Sequence, residues 1–233
     1  MPAALENVHM IHRRVRQPSP VWTRARRTLL AMGMAALALA AARDAAAQAG
    51  RRGDVLDVNT ASEKQLQAVP GLTPALVKSL VDRRPFLTMT ELDAALSPLG
   101  APQRAEAYTK VFLQVNLNSA TEAELRLVPG MTDALLSAIT ARRPYPTLVQ
   151  FRRTLRGAVD EATLGRLEPF VFVPLDLNTA SDGDIMTIPR MGQRMLKEFK
   201  EYRPYKAMTQ FRREIGKYVD DKEVARLERY VTL

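Results

Sequence analysis

The stretch DLNTASDGDIMTIPRMG, residues 176–192, restates two earlier ones: DVNTASEKQLQAVPGLT at 57–73 and NLNSATEAELRLVPGMT at 116–132. Self-similarity at a fixed period marks a chain built from copies of one supersecondary unit. Asn59, Asn118 and Asn178 stand 59 and 60 residues apart. The spacing predicts three units, over 54–113, 114–173 and 174–233.

Each copy opens with Asn, then Thr or Ser, then Ala. Ser62-x-x-Gln65 and Thr121-x-x-Glu124 then read as capping boxes, in which hydroxyl and long side chain each accept a backbone N–H of the other residue. Ser181-x-x-Asp184 reads as a weaker box, because Asp is shorter. The pairs Leu66/Val69, Leu125/Val128 and Ile185/Ile188 are three apart, which gives a short helix one buried face. Pro70, Pro129 and Pro189 end it.

A second helix is expected over 74–83, 133–142 and 193–202. It stops at Arg84-Pro85-Phe86, Arg143-Pro144-Tyr145 and Arg203-Pro204-Tyr205, since a residue before proline disfavours α geometry. A third helix carries Leu92, Phe151 and Phe211, and a fourth lies near 104–112, 161–170 and 221–230. No segment alternates with period two. The expected fold is all-α: three tandem four-helix units of about 60 residues, each with a modest core. Neighbouring units can pack together or sit as beads on short connectors. Phe86, Tyr145 and Tyr205 read as core plugs, and Asn59, Asn118 and Asn178 as local backbone hydrogen-bonders at a turn.

The leading residues differ in kind. Basic residues around Arg24, Arg26 and Arg27 precede an apolar run from Leu29 to Ala42, and small residues follow. That is the layout of a secretory signal peptide over 1–47. The apolar run has 14 residues, too few to span about 30 Å of hydrocarbon as an anchor. A cleaved signal places the product in the periplasm or outside the cell, and an uncleaved one anchors it to the membrane.

Composition narrows the function classes. The chain has no cysteine, so disulfides, thiolate metal sites and Cys nucleophiles are excluded. Its two histidines, His9 and His12, fall in the leading segment, which leaves the body no imidazole for acid–base work. With no Gly-rich phosphate cradle either, the expectation is a binding protein without cofactor or metal, not an enzyme. The net charge of +9 is unevenly placed: residues 1–47 hold +5 and the body +4. The body is only mildly basic, so polyanion binding needs local sites.

The Asn-Thr-Ala opening, the Pro-Gly hairpin and the Arg-Pro-aromatic exit, as in NTASEKQLQAVPGLT, RRPF and TMTELDAAL, resemble the helix-hairpin-helix units of ComEA-type competence proteins. The likeness covers nearly all of 54–233, in three copies. It implies two such motifs per unit, the second poorly marked in SPLGAPQ, RGAVDEA and GKYVDDK. It also implies an exported or membrane-anchored protein that binds double-stranded DNA without sequence preference during uptake. Membrane-associated uptake or secretion proteins would be further partners.

In a hairpin of this class, Gly-apolar-Gly lets a phosphate reach the backbone N–H groups that open the second helix. Here the triplets are Gly71-Leu72-Thr73, Gly130-Met131-Thr132 and Arg190-Met191-Gly192. A left-handed Thr would cost about 1–2 kcal/mol; otherwise its hydroxyl caps the helix or meets a phosphate. Arg190 adds a fork donor for phosphate. Nearby cations complete the expected site: Lys78, Arg83 and Arg84; Arg142 and Arg143; Arg194 and Lys197. Each Arg-Arg pair has a competing reading as a solvated helix C-terminus that complements the dipole. Two functions stand open at this point: non-specific DNA binding through these residues, and an exported interaction scaffold that keeps the shape without the DNA site.

Overall fold

The computed structural model describes residues 53–233, so the segment read as a signal peptide lies outside the described residues. The first stretch of chain runs through strand β1 (Leu56–Asp57) and helices α1 (Glu63–Gln67), α2 (Pro74–Asp82), α3 (Met89–Ala95) and α4 (Ala101–Tyr108) to strand β2 (Val111–Phe112). The same order follows as β3 (Val115–Asn116), α5 (Glu122–Arg126), α6 (Asp133–Thr140), α7 (Leu148–Leu155), α8 (Glu161–Leu167) and β4 (Val171–Phe172), with a 3-10 turn at Glu168–Phe170. It recurs as β5 (Leu175–Asp176), α9 (Asp182–Ile185), α10 (Gln193–Glu201), α11 (Met208–Ile215), α12 (Asp221–Glu228) and β6 (Val231–Thr232).

The body is mostly helical but not all-α. Each segment enters and leaves through a short strand, and the two pair in parallel: Leu56 with Val111, Val115 with Val171, and Leu175 with Val231. The fourth helices accordingly end earlier than expected, and the residues at 111–112, 171–172 and 231–232 are extended. Two residues are too few to show a period-two pattern, and both faces of β2 and β4 are buried, so no alternation exists to be read.

Local chemistry explains the helix starts. The Ser62 hydroxyl accepts the Gln65 N–H at 3.2 Å, and the Gln65 side chain accepts the Ser62 N–H at 2.8 Å. Thr121 and Glu124 form the same reciprocal pair. So do Ser181 and Asp184, at 3.1 and 3.0 Å: the shorter acid still closes the box, on a helix of only four residues. The second helices end at Asp82, Thr140 and Glu201, just ahead of the arginine–proline bonds, which are cis in all three segments.

The asparagines reach farther than a local turn. Asn59 spans 27 residues to hold both backbone groups of Phe86. Asn118 holds Tyr145 and Asn178 holds Tyr205 in the same way. This clamp fixes the aromatic residue that plugs the core. Phe86, Tyr145 and Tyr205 are each 2% exposed, so none offers a face for base stacking. In the second segment Tyr145 meets Phe151 edge-on at 5.1 Å, and in the third Phe199 meets Phe211 at 5.2 Å. Burying a Phe or Leu fully contributes about 1.5–3 kcal/mol before entropy is charged against it.

The first two segments share one continuous apolar core, with Phe112, Leu113, Val115 and Leu117 at their junction. The third has a core of its own, beginning at Phe172. It is tied back by polar contacts. Arg229 donates from Nε to the Leu87 carbonyl at 2.7 Å and from Nη2 to the Gln114 carbonyl at 2.8 Å. The Tyr230 hydroxyl lies 3.5 Å from Asp57. The segments are therefore packed, not strung on connectors.

Candidate nucleic-acid interface

The three hairpins share one backbone shape and reach it with different residues. Gly71 and Gly130 have φ of +83° and +82°. A glycine adopts this left-handed geometry without penalty. The third hairpin makes the same turn with Arg190, at φ 59°. A side chain there costs about 1–2 kcal/mol.

The second place of each triplet is not left-handed. Thr73, Thr132 and Gly192 have φ of −73°, −114° and −106° and serve as N-caps of α2, α6 and α10. The threonine hydroxyls take the capping role: Thr73 accepts the Leu76 N–H at 3.3 Å, and Thr132 accepts the Leu135 N–H at 3.2 Å. Gly192 has no side chain to offer, so α10 starts without a side-chain cap. Its first-turn N–H groups keep their partial positive charge unanswered. Added methyl groups at Gly71, Gly130 and Gly192 would meet nothing within 4 Å, so all three turns present bare backbone to open space.

The cations divide by what holds them. In the first segment, Lys78 is paired with Asp82 at 2.7 Å, which raises its pKa, and Arg83 lies over the Phe86 ring at 5.8 Å. Arg84 is half-buried and donates to the Ala61 carbonyl at 2.7 Å. Burial pushes its pKa down; Asp57 opposes that shift, and the charge of Arg190 reinforces it. The third hairpin thus stands near the first segment's Arg84.

In the second segment, Arg142 donates to the Ala138 carbonyl at 3.0 Å, closing the end of α6, and Arg143 is half-buried. Asp133, on the first turn of α6, is engaged by Arg126, which raises the Arg126 pKa. The third segment differs. Arg190, Arg194 and Lys197 are exposed, and none has a carboxylate partner among the described residues. Arg194 stacks on the Tyr218 ring at 5.8 Å, and Lys200 pairs with Asp182 at 2.6 Å. Three free cations therefore stand beside the one uncapped second helix.

Two long-range contacts important to this arrangement carry no local sequence signal. Arg226, 4% exposed, donates to the Pro189 carbonyl at 2.8 Å and braces the third hairpin from beneath. Arg229 ties the same helix to the first segment. Arg226 has a local partner in Glu223, three residues before it, but the carbonyls that the two arginines hold lie from 37 to 142 residues away, and no spacing rule reaches that far.

With this geometry in place, the comparison with protein families is informative. A family model described as the helix-hairpin-helix motif matches residues 52–97, the stretch that holds α1, the Gly71 hairpin, α2 and α3. This motif is generally associated with non-specific DNA binding. Searches of curated proteins and of solved structures give no match. Among the described residues, no helix is long and apolar enough to cross a membrane.

Proposed function

We propose that this protein binds double-stranded DNA without regard to sequence, through the phosphates, using three tandem helix-hairpin-helix units of which the third makes the strongest contact. One observation carries the reading: the uncapped start of α10 at Gly192, with Arg190, Arg194 and Lys197 around it and without a carboxylate partner among the described residues. Backbone N–H groups at a helix start, the helix dipole and three free cations favour the same ligand, an oxyanion. Phosphates carry no sequence information, so the binding is non-specific. Thr73 and Thr132 hold the corresponding amides of the other two hairpins, which become secondary contacts that add avidity along one duplex.

The proposal extends to setting. The layout of residues 1–47 supports export to the periplasm or beyond, and the likeness to ComEA-type proteins supports a part in DNA uptake beside membrane-associated machinery. The protein acts by binding, without catalysis.

A gel-retardation series on the full chain tests the proposal. Duplexes of unrelated sequence shift equally, and affinity falls with salt at a logarithmic slope of about −0.9 per phosphate neutralised. Replacing Arg190, Arg194 and Lys197 together with Ala flattens that slope by up to about three phosphates' worth. Absence of any shift by folded protein at about 50 mM salt refutes the DNA reading.

A second reading, an exported interaction scaffold, has one observation in its favour. The open space in front of the second hairpin is a cleft bounded by a neighbouring helix. Pro129, Gly130 and Met131 line a cleft of about 360 Å³ with Arg104 and Tyr108 of α4. If DNA binding fails while the fold is intact, this reading takes its place.

A further inference from the structure

The chain makes the same joint twice and fills only one of them. At the first, between the first and second segments, Arg229 donates from Nε to the Leu87 carbonyl and from Nη2 to the Gln114 carbonyl. The repeat gives each carbonyl a counterpart at the second joint. Leu87 follows the clamped Phe86 as Pro146 follows the clamped Tyr145. Gln114 stands four residues before Asn118 as Pro174 stands four before Asn178.

A cleft of about 170 Å³ lies at the second joint, and both prolines line it. Thr147, Thr179, Ala180 and Asp184 stand in its wall where Thr88, Ser119, Ala120 and Glu124 stand beside Arg229 at the first joint. The Pro146 and Pro174 carbonyls accept no N–H among the described residues. No arginine or lysine among the described residues lines the cleft. The pair of acceptors that Arg229 bridges at one joint is thus repeated at the other without its donor.

The two joints differ in one respect that bears on the ligand. Phe172, over which Arg229 lies at 5.7 Å, pairs with Asn116, and the corresponding strand pair is Thr232 with Asp176. A ring and an amide are therefore replaced by a hydroxyl and a carboxylate. Asp176 and Asp184 both line the second cleft, and neither forms an ion pair among the described residues. The second joint exchanges an aromatic face for negative charge, which still favours a cation.

A guanidinium carries its donors in a rigid planar fork, whereas an ammonium is a point charge. Two carbonyls set at the spacing that Arg229 already bridges suit the fork. The cleft is smaller than sites for whole small molecules, roughly 300–1,000 Å³, and suits one side-chain head. The chain's own matching arginine, Arg229, is engaged at the first joint. We propose that the second joint binds the arginine side chain of another protein, its guanidinium on the Pro146 and Pro174 carbonyls beside Asp176. None of the lining residues belongs to a hairpin, so the proposal does not rest on DNA binding.

Titration of the full chain with N-acetylargininamide, followed by backbone amide NMR, tests the proposal. The Thr147 and Thr179 amides are expected to shift and saturate in the range of about 1–10 mM. N-acetyllysinamide should bind at least about threefold more weakly, and the neutral N-acetylcitrullinamide should leave the amides unmoved. Thr88 and Ser119, at the joint that Arg229 occupies, should not respond. Asp176→Asn copies the residue of the first joint and is expected to weaken binding about threefold or more. Thr179 is exposed, so Thr179→Phe blocks the mouth without touching the core and should abolish the response at an unchanged melting temperature. The proposal is overturned by no shift up to about 50 mM, by equal binding of lysine or citrulline, by equal shifts at the first joint, by an undiminished affinity in Asp176→Asn, or by a response that survives in folded Thr179→Phe. A dimer of the wild-type chain that Thr179→Phe disperses would give the cleft to a second copy and overturn its assignment to another protein.

Discussion

The side-chain amide of Asn59 holds Phe86 by both backbone groups, accepting its N–H at 2.8 Å and donating to its carbonyl at 2.8 Å. One side chain thereby satisfies a buried donor and a buried acceptor 27 residues on. Asn59→Ala orphans both, and each buried orphan costs about 1–3 kcal/mol. We expect a loss of about 3 kcal/mol in urea unfolding. A loss under about 0.5 kcal/mol would mean that water replaces the clamp freely.

The third hairpin sets stability against binding. Gly192→Thr supplies the hydroxyl that Thr73 and Thr132 already provide, and it caps the first turn of α10. Stability is expected to rise by a few tenths of a kcal/mol, while duplex affinity falls because an amide open to phosphate is now occupied. Arg190→Gly should behave alike: it relieves left-handed strain of about 1–2 kcal/mol, partly offset by chain entropy, and removes a free cation. Thermal melts and retardation gels read the two signs. If either variant gains affinity, the third hairpin is not the main contact.

Two equivalent tyrosines should respond oppositely to loss of their hydroxyls. The Tyr145 hydroxyl donates to the Ile139 carbonyl at 2.8 Å, whereas the Tyr205 hydroxyl is buried without a partner among the described residues, and burial pushes its pKa up. Tyr145→Phe is expected to cost about 1 kcal/mol and Tyr205→Phe to be neutral or stabilising by up to about 1 kcal/mol. Phe86 already fills the corresponding place in the first segment. Chemical denaturation of both variants decides it, and equal losses would contradict the assignment.

Acid should weaken the third segment through Glu214. Hydrogen bonds from Lys217 and then Arg213 hold its carboxyl pKa below the ordinary value. A carboxyl depressed in the folded state stabilises the fold above its unfolded pKa, and that contribution is lost as pH falls through the folded one. Asp160 is depressed likewise, by the Thr163 hydroxyl and N–H. Urea midpoints are therefore expected to drop between about pH 5 and pH 3. In Glu214→Gln the drop should be smaller, and an unchanged pH profile would remove Glu214 from the account.

What the sequence discloses here follows from how near the causes lie. The capping boxes at Ser62 and Thr121 involve residues three apart, and the stops at Arg84-Pro85 involve neighbours, so helix order and core plugs are legible. The strands are not, because two residues show no pattern and Leu56 finds Val111 only once four helices are folded. Whether Thr73 is strained or free to use its hydroxyl as a cap or phosphate ligand depends on a φ angle that the residue name does not reveal. Arg190 in a glycine's geometry is visible as an anomaly of the repeat, but its nearness to Arg84 depends on how the segments pack. Nothing local sets Arg229 apart from Arg213, yet only one of them joins the ends of the body.

Because each segment's first and last strands lie side by side, the chain departs from every segment where it arrived. Only Leu113 and Gln114 separate β2 from β3, and only Val173 and Pro174 separate β4 from β5. Such a layout suits growth by copying: an additional module can be spliced in at a joint without redirecting those before or after it. The clasp from Arg229 to Leu87 is the exception, since it measures the distance from the last module to the first and so favours one copy number.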